Sequence, residues 1–336
     1  MIYREEMAKS KEYKKNYLDG LNAVIESRQK DALSHRREYI KNIFSNQEKY
    51  RDDFKAMLGW PLNESRPNSL PDVISEKLSD EDGYSIYRMQ FEILDGLKMT
   101  GLFFKSDSNE PQPLVIAQHG GLGTPEFISG IYGDTGTYHD MLHRVRKHDV
   151  HVFAPQLIVW GDEYEVGFDR QDIDSRLKRV GSSITAVEIQ GISRILDYFE
   201  AQNYVTSFGM LGLSYGGFYT LYAAAVDTRI KSSISCSFFN KRDAREKPDW
   251  TWFNSAGLFD DAQIASLVYP RHLCLQMGNR DQLVDYRDSE ESFEEIKEIC
   301  KDVGTWWAEL MIFDGVHEFC TDDEPILKMI NNLKNE

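Results

Sequence analysis

From residue 113 onwards, short apolar runs alternate with segments of helical periodicity. "PLVIAQ" (113–118), "VHVFAP" (150–155) and "SFGMLGLS" (207–214) are apolar enough to be buried strands. Before the last of them lies "ITAVEIQGISRILDYFEAQ" (184–202), whose apolar residues recur on one side of a helix. A helix between two buried strands is typical of a crossover between parallel strands. The sequence therefore predicts an α/β fold, with a mainly parallel central sheet flanked by helices.

A different rhythm precedes this region. "YRMQFEIL" (87–94) alternates apolar and polar side chains, and Asp95-Gly96 is a hairpin turn into "LKMTGLFF" (97–104). We therefore expect an antiparallel pair at one edge of the sheet. Three further strand candidates follow the central ones: "IKSSISCSF" (230–238), "RHLCLQMG" (271–278) and "AELMIFDG" (308–315).

Composition divides the chain into two regions. Residues 1–58 are rich in Lys, Glu and Arg, with apolar residues at roughly helical spacing, and residues 59–72 contain three prolines. We predict a helical N-terminal extension and linker at 1–72 and an α/β domain at 73–336. Within that domain, the polar and aromatic segment 239–265 is too long for an ordinary connection, so we expect a cap insertion over a pocket.

Charge and hydropathy exclude several classes of partner. The chain has 39 Lys and Arg against 55 Asp and Glu, a net charge of −16, which repels nucleic acids and anionic membranes. No run approaches the about 20 apolar residues of a membrane helix. The charged N-terminus resembles neither a secretory signal nor an anchor, so we expect a cytoplasmic protein. The four cysteines form no CxxC pair, and we interpret them as buried thiols in a reducing compartment.

Ser214 lies in "GLSYG" (212–216), directly after a strand-like run and before the helical "GFYTLYAAAV" (217–226). Parallel sheets bind ligands at this carboxyl end of their strands. Glycines two residues before and after the serine allow the sharp turn that presents its hydroxyl to a ligand. Gly-x-Ser-x-Gly alone is a common pattern, so a nucleophilic role for Ser214 depends on its partners.

A nucleophilic serine needs an imidazole to accept its proton and a carboxylate to orient that imidazole. His317 in "MIFDGVHEF" follows the last strand-like run, and Asp281 in "CLQMGNRDQLVD" follows the run before it. The resulting order, Ser214, Asp281, His317, is the one expected for a serine on a central strand. Asp314 is a second candidate for the carboxylate, and Asp281 could instead cap a helix. We favour Asp281 because it approaches the ring from its own strand end.

The third requirement is a pair of N–H donors for an oxyanion. "AQHGGLG" (117–123) follows the first buried strand, and its glycines permit close backbone approach. We predict that the backbone amides of Gly121 and Tyr215 form an oxyanion hole. His119 in this loop either contacts the substrate or braces the loop.

Four motifs stand in the order of a known superfamily: HGG (119–121), GLSYGG (212–217), GNRD (278–281) and GVHEF (315–319). Together they resemble the α/β-hydrolase superfamily, in particular its dienelactone-hydrolase-like and acetyl-esterase-like branch. The resemblance covers roughly residues 84–330. It implies an α/β-hydrolase fold, with Ser214, Asp281 and His317 as the catalytic triad.

Two departures from that branch bear on the substrate. Ser214 stands where dienelactone hydrolases carry cysteine, and "APQLIVWGDEYEVG" (154–167) lacks the Arg-Gly-Gln stretch of cephalosporin and xylan deacetylases. With these two departures noted, the triad and the resemblance imply a serine hydrolase for small carboxylic esters, either a short-acyl esterase or a deacetylase, that needs no cofactor. An aminopeptidase-like amidase or a thioesterase is the alternative on the same triad. The N-terminal helices are candidates for a homodimer contact or a pocket cover.

Two other classes compete with this interpretation. His139 and His143 have the i, i+4 spacing of a zinc-binding helix, but Asp140 replaces the Glu of HExxH, so we expect surface histidines and no metal site. A non-catalytic binding protein on the same fold is the other class. Trp250 and Trp252 in the predicted insertion either contact a sugar or acyl group, or pack inside the cap.

Overall fold

In the computed structural model, residues 2–81, 83–159, 167–242 and 247–335 are described. They form one nine-stranded sheet with the strand order β1-β2-β3-β5-β4-β6-β7-β8-β9. The strands are β1 (Val73–Glu81), β2 (Tyr84–Leu94), β3 (Leu97–Ser106), β4 (Gln112–Gln118), β5 (His151–Pro155), β6 (Val205–Leu213), β7 (Ile230–Cys236), β8 (His272–Gly278) and β9 (Ala308–Phe313).

The sheet is mixed and mostly parallel. Strands β1, β2 and β3 form an antiparallel meander that joins β5, also in antiparallel direction. From β5 through β4 and β6 to β9, all neighbours are parallel. The prediction of a mainly parallel sheet with an antiparallel edge is confirmed. The outermost strand β1 was not predicted, because its side chains are exposed along almost its whole length and show no apolar alternation.

Helices cover both faces. They are α1 (Met7–Tyr39), α2 (Gln47–Leu58), α3 (Pro125–Ile128), α4 (Met141–Arg146), α5 (Arg170–Lys178), α6 (Ile184–Glu200), α7 (Tyr215–Val226), α8 (Ser255–Leu258), α9 (Asp261–Ser266), α10 (Tyr286–Ile299) and α11 (Glu324–Lys334). One apolar core joins α2, α6 and α7 to the sheet, and a second joins α3, α4 and α11 to it. No helix in these described ranges is long and apolar enough to cross a membrane.

The two N-terminal helices differ in how they contact the sheet domain. Helix α2 buries Phe54 in the main core, and its Arg51 donates hydrogen bonds to the carbonyls of Ala225 and Leu267. Apolar side chains of α1, such as Leu18 and Leu21, are exposed to solvent. The predicted extension therefore contains one helix that packs as part of the core and one that projects from it.

The predicted insertion at 239–265 connects β7 to the helices before β8. Its described residues include a short 3₁₀ helix, Pro248–Trp250, and helix α8. The last turns of α1 contact it, since His35 Nδ1 lies 2.8 Å from the carbonyl of Gly257 and Arg36 pairs with Asp260 at 3.2 Å. Residues 243–246 of the insertion lie outside the described residues, as do residues 160–166 of "APQLIVWGDEYEVG".

Candidate active site

Ser214 occupies a sharp turn between β6 and α7. Its backbone has φ 60° and ψ −120°, in the positive-φ region that a non-glycine residue rarely adopts. Its amide donates to the carbonyl of Cys236 at 2.9 Å, which ties the turn to the end of neighbouring β7. The residue is half-buried at the carboxyl edge of the sheet. A strained backbone of this kind is often found at functional sites, which makes Ser214 a candidate.

The glycines around Ser214 are needed for close packing. A Cβ on Gly216 would lie 2.2 Å from the carbonyl oxygen of Gln118, and one on Gly212 would lie 2.5 Å from the backbone of Gly216. Both distances are far below a van der Waals contact. Strand β4, the turn and the first residues of α7 therefore pack together only because these two positions carry no side chain.

Asp281 and His317 are in direct contact. His317 Nδ1 lies 2.8 Å from Asp281 Oδ2, and the other carboxylate oxygen accepts from the amides of Leu283 and Val284. The Asp281 side chain is 0% exposed. Burial raises the pKa of this carboxyl, but the hydrogen bonds from His317 and the two amides outweigh it, so the pKa lies below its ordinary value. Asp281 is therefore ionised at neutral pH and holds Nδ1 of the imidazole as a proton donor.

Asp314, the other carboxylate considered, points away from this pair. Its side chain is 80% exposed and pairs with Arg280 Nε at 3.0 Å. The geometry therefore favours Asp281 as the partner of His317.

The loop after β9 carries His317 back toward Ser214. The amide of Arg280 donates to the carbonyl of Gly315, and Cys236 Sγ lies 3.3 Å from the carbonyl of Glu318. The loop thus crosses the ends of β8 and β7. Ser214 lies at the end of the next strand, β6. Within the described residues, the imidazole makes its hydrogen bond to Asp281 and none to Ser214 Oγ. Such catalytic hydrogen bonds often form only when a substrate is bound.

The glycine loop after β4 lies beside Ser214. The amide of Gly120 donates to the Tyr138 hydroxyl at 2.7 Å, and a Cβ on Gly120 would lie 3.1 Å from Ser214 Cβ. Gly121 is buried, and its amide donates no hydrogen bond within the part of the chain that the structure describes. Tyr215 is the first residue of α7, where backbone amides point out of the helix. The loop that contains Gly121 therefore passes close to Ser214, and Tyr215 follows the serine directly in the chain.

His119 braces this loop from inside. Its Nε2 accepts from the amide of Leu157 at 3.0 Å, and its Nδ1 lies 2.9 Å from the carbonyl of Gly120. Burial lowers the pKa of the imidazole to about 4, so the ring stays neutral. With both nitrogens occupied and no exposed surface, His119 is better suited to bracing than to substrate contact.

Trp250 and Trp252 are each 6% exposed. The Trp250 ring centroid lies 5.0 Å from that of Tyr215, and the Trp252 ring stacks at 6.5 Å on Phe218 of α7. These contacts correspond to the packing role considered for both residues. They place the insertion directly against the start of α7.

The histidines considered for zinc do not share a helix. His139 precedes α4 with φ 47° and lies 2.7 Å from Glu318 Oε2, whereas His143 lies within α4 and accepts from Arg146. Helix α4 thus begins only at Met141, because residues 139 and 140 adopt positive φ, and the i, i+4 spacing of the two histidines does not lie on one helix. Across the described ranges, no three His, Cys, Asp or Glu side chains are grouped so as to hold a metal ion.

Sequence reasoning did not identify a buried ionic cluster beside Tyr215. Its members are Arg170, Glu188, Tyr219 and Asp249, which come from α5, α6, α7 and the insertion. No spacing in the sequence relates these residues. The single available signal was the hydroxyl of Tyr215, since a buried tyrosine generally bonds to a polar partner.

Solved structures of esterases share this architecture. A glucuronoyl esterase from Solibacter usitatus aligns with a TM-score of 0.65 at 14% identity, over 87% of this chain and 93% of that one. Acetyl xylan esterase 1 from Thermoanaerobacterium sp. JW/SL YS485 aligns with a TM-score of 0.59 at 14% identity, covering 85% and 92%. An acetyl xylan esterase from Paenibacillus sp. R4 aligns with a TM-score of 0.58 at 16% identity, covering 85% and 94%.

No protein-family model matches the sequence, and no curated protein matches it significantly. At identities this low, likeness to the solved esterases is evidence for the fold alone. The resemblance predicted from the four motifs is confirmed at that level: the chain has the α/β-hydrolase fold, as do acetyl xylan esterases and other esterases.

Proposed function

We propose that this protein is a serine hydrolase that cleaves carboxylic esters through an acyl-enzyme, with Ser214 as nucleophile, His317 as general base and Asp281 as its orienting carboxylate. The observation that carries the proposal is the 2.8 Å hydrogen bond between His317 and buried Asp281, at the sheet edge where Ser214 has a positive φ. Structural packing alone gives no reason for all three features at one edge.

The chemistry follows from the protonation states. Because Asp281 accepts a hydrogen bond from the Nδ1–H of His317, the lone pair of the imidazole resides on Nε2, where it can accept the Ser214 proton. Ser214 Oγ then bonds to the ester carbonyl carbon, and the carbonyl oxygen becomes an oxyanion that the amides of Gly121 and Tyr215 stabilise. Collapse of this intermediate breaks the carbon–oxygen bond to the alcohol, which takes the proton from His317.

Water completes the cycle. His317 removes a proton from the water as its oxygen attacks the acyl-enzyme, and a second oxyanion forms at the same two amides. Its collapse releases the carboxylic acid and returns the proton to Ser214. Every proton and leaving group is accounted for by these residues and water.

For the substrate, we propose a small ester with a short acyl group, acetylated sugars included. The solved proteins that align here carry names that specify acetyl xylan and glucuronoyl esters. Amides and thioesters pass through the same intermediates, and for this reason they belong in the test panel.

The experiment compares wild type with Ser214→Ala on acetyl, butyryl and octanoyl esters, acetylated sugars, an acetyl thioester and an aminoacyl amide. We expect hydrolysis of a short ester by the wild type and a loss of at least about 10³-fold in the variant. A fluorophosphonate should label wild type at Ser214 and leave the variant unlabelled. Full activity of Ser214→Ala would refute the assignment. A wild type that neither hydrolyses nor labels would favour a non-catalytic binding protein.

A further inference from the structure

The cluster beside Tyr215 centres on the guanidinium of Arg170, at the start of α5. Arg170 Nε donates to Asp249 Oδ2 at 2.9 Å, and Nη2 donates to Glu188 Oε2 at 3.1 Å and to the Tyr219 hydroxyl at 2.6 Å. All four side chains are buried. Burial alone lowers the pKa of Arg170, but the neighbouring carboxylates raise it well above its usual value, so the guanidinium stays charged.

Tyr215 joins this cluster through the same carboxylate oxygen. Its hydroxyl donates to Asp249 Oδ2 at 2.7 Å, and the Arg170 guanidinium lies over its ring, 5.2 Å from the centroid. A carboxylate that accepts from both a cation and a hydroxyl in a dry interior makes strong, short hydrogen bonds. The Tyr215 side chain is therefore fastened at its hydroxyl by the insertion and at its ring face by α5.

From this geometry we infer that Asp249 and Arg170 are positioning residues for the oxyanion hole. They hold the side chain of Tyr215, and through it the backbone amide that follows Ser214. The inference rests on the proposed function, since it concerns the amide assigned to the oxyanion. An oxyanion donor must lie about 2.7–3.1 Å from the developing charge, and a displacement of about 1 Å can cost about 100-fold in rate.

The inference gives the insertion a role in the chemistry. Asp249 belongs to the 3₁₀ helix of the insertion, whereas Arg170 begins α5 and Glu188 lies on α6. These elements come from separate parts of the chain, and their side chains meet Tyr215 and Tyr219 of α7. The insertion thus helps to hold Tyr215 on the oxyanion side of the proposed site. This role is separate from the predicted one of covering a pocket.

The test compares Asp249→Asn, Tyr215→Phe and the double variant with wild type on the best short ester. We expect Asp249→Asn to lower kcat by about 10-fold or more while KM stays within twofold, because the aligned amide acts in the transition state. The rate of fluorophosphonate labelling should fall in parallel. Asp249→Asn removes the charge that strengthens the hydrogen bond from the Tyr215 hydroxyl, and Tyr215→Phe removes that bond altogether. The double variant should be no slower than the slower single variant, because both changes act on the same hydrogen bond.

A matched control separates positioning from loss of stability. Asp227→Asn removes a buried, arginine-paired carboxylate at the other end of α7, so it lowers stability without touching the first turn. Both variants are assayed at temperatures below their thermal unfolding midpoints. If Asp249→Asn folds poorly, Tyr215→Phe tests the same hydrogen bond, because it removes the hydroxyl and retains the ring.

The inference would be overturned by wild-type kcat in both Asp249→Asn and Tyr215→Phe, or by equal losses of kcat in Asp249→Asn and in Asp227→Asn. A wild type that does not react with fluorophosphonate marks failure of the proposed function instead. Labelling of wild type and Asp249→Asn at the same rate marks failure of the positioning role alone.

Discussion

Helix α7 has a buried aspartate–arginine pair at each end, and the two pairs use the same chemistry. At the first turn, Asp249 accepts from Arg170. Directly after the last residue of α7, Asp227 accepts from Arg229 Nη2 at 2.7 Å and from Arg66 Nη2 at 3.3 Å. Each carboxylate is almost completely buried. By burial and hydrogen bonding alone, the two ends look equivalent.

The ends differ in the origin of their partners and in what they support. Asp227 and Arg229 are two residues apart, so a local turn brings them together, whereas Arg170 and Asp249 are 79 residues apart. The first turn carries the amide next to Ser214, and the other end lies about 17 Å along the helix axis. On the proposed function, similar ion pairs serve different purposes: the pair at the first turn serves the rate of the reaction, and the pair at the other end serves the stability of the fold.

The largest effect is expected at the candidate active site, from Asp281→Asn. An asparagine retains the shape but cannot hold Nδ1 of His317 as a donor to a carboxylate, so kcat should fall by about 10³- to 10⁴-fold. The measurement is kcat for a short ester, with the thermal unfolding midpoint recorded beside it. Asp314→Asn is the matched control, and its kcat should stay close to wild type because that carboxylate is exposed. Equal losses in the two variants would contradict the assignment of Asp281.

The next largest effect is expected at the other end of α7, on the stability of the fold. Asp227→Asn removes the charge of a buried carboxylate that accepts from Arg229 and Arg66, whereas Arg229 keeps its ion pairs with Asp197 and Glu200. The free energy of unfolding should therefore fall by about 2 kcal/mol, as expected for lost hydrogen bonds to a charged group. Urea unfolding measures this loss, and kcat of the folded variant should remain within twofold of wild type. A tenfold loss of kcat at full occupancy of the folded state would show that the two ends are not distinct.

The smallest effect is the pH dependence of that same pair. Burial raises the pKa of Asp227, but hydrogen bonds and charges from Arg229 and Arg66 outweigh it and lower the pKa from 3.8 to about 2. Because the folded pKa lies below the unfolded one, the stabilisation is complete above about pH 4 and is lost as the pH falls toward 2. The unfolding free-energy difference between wild type and Asp227→Asn should therefore shrink by about 2 kcal/mol over that window. A difference that does not change with pH would disprove this origin of the stability.

The sequence predicts most of the fold, because its signals are local. The buried strands at 113–118, 150–155 and 207–214 appear as continuous apolar runs, and the structure has strands there. Strand β1 escaped prediction since both of its faces are exposed. Helix α4 excludes His139, although the spacing of His139 and His143 is helical, because residues 139 and 140 adopt positive φ. Hydrophobic periodicity does not encode this backbone conformation.

The candidate site likewise contains residues that the sequence predicts and residues that it does not. Asp281 and His317 are 36 residues apart, yet each follows a buried strand. Because these strands end at the same edge of the sheet, the sequence already predicts that the two residues lie close together. Their catalytic roles stay predictions. Arg170 and Asp249 follow no strand of the sheet and share no motif. Their contact depends on how the insertion folds over α5, which is a property of tertiary packing alone.

The close packing at Gly212 and Gly216 restricts how this site can change under selection. Because any side chain at either position would collide with backbone atoms, the turn that bears Ser214 tolerates almost no drift. New specificities would have to arise by substitution in surrounding segments, such as the insertion and the loop after β4. Directed evolution of the proposed activity should therefore draw its libraries from those segments and leave the turn intact.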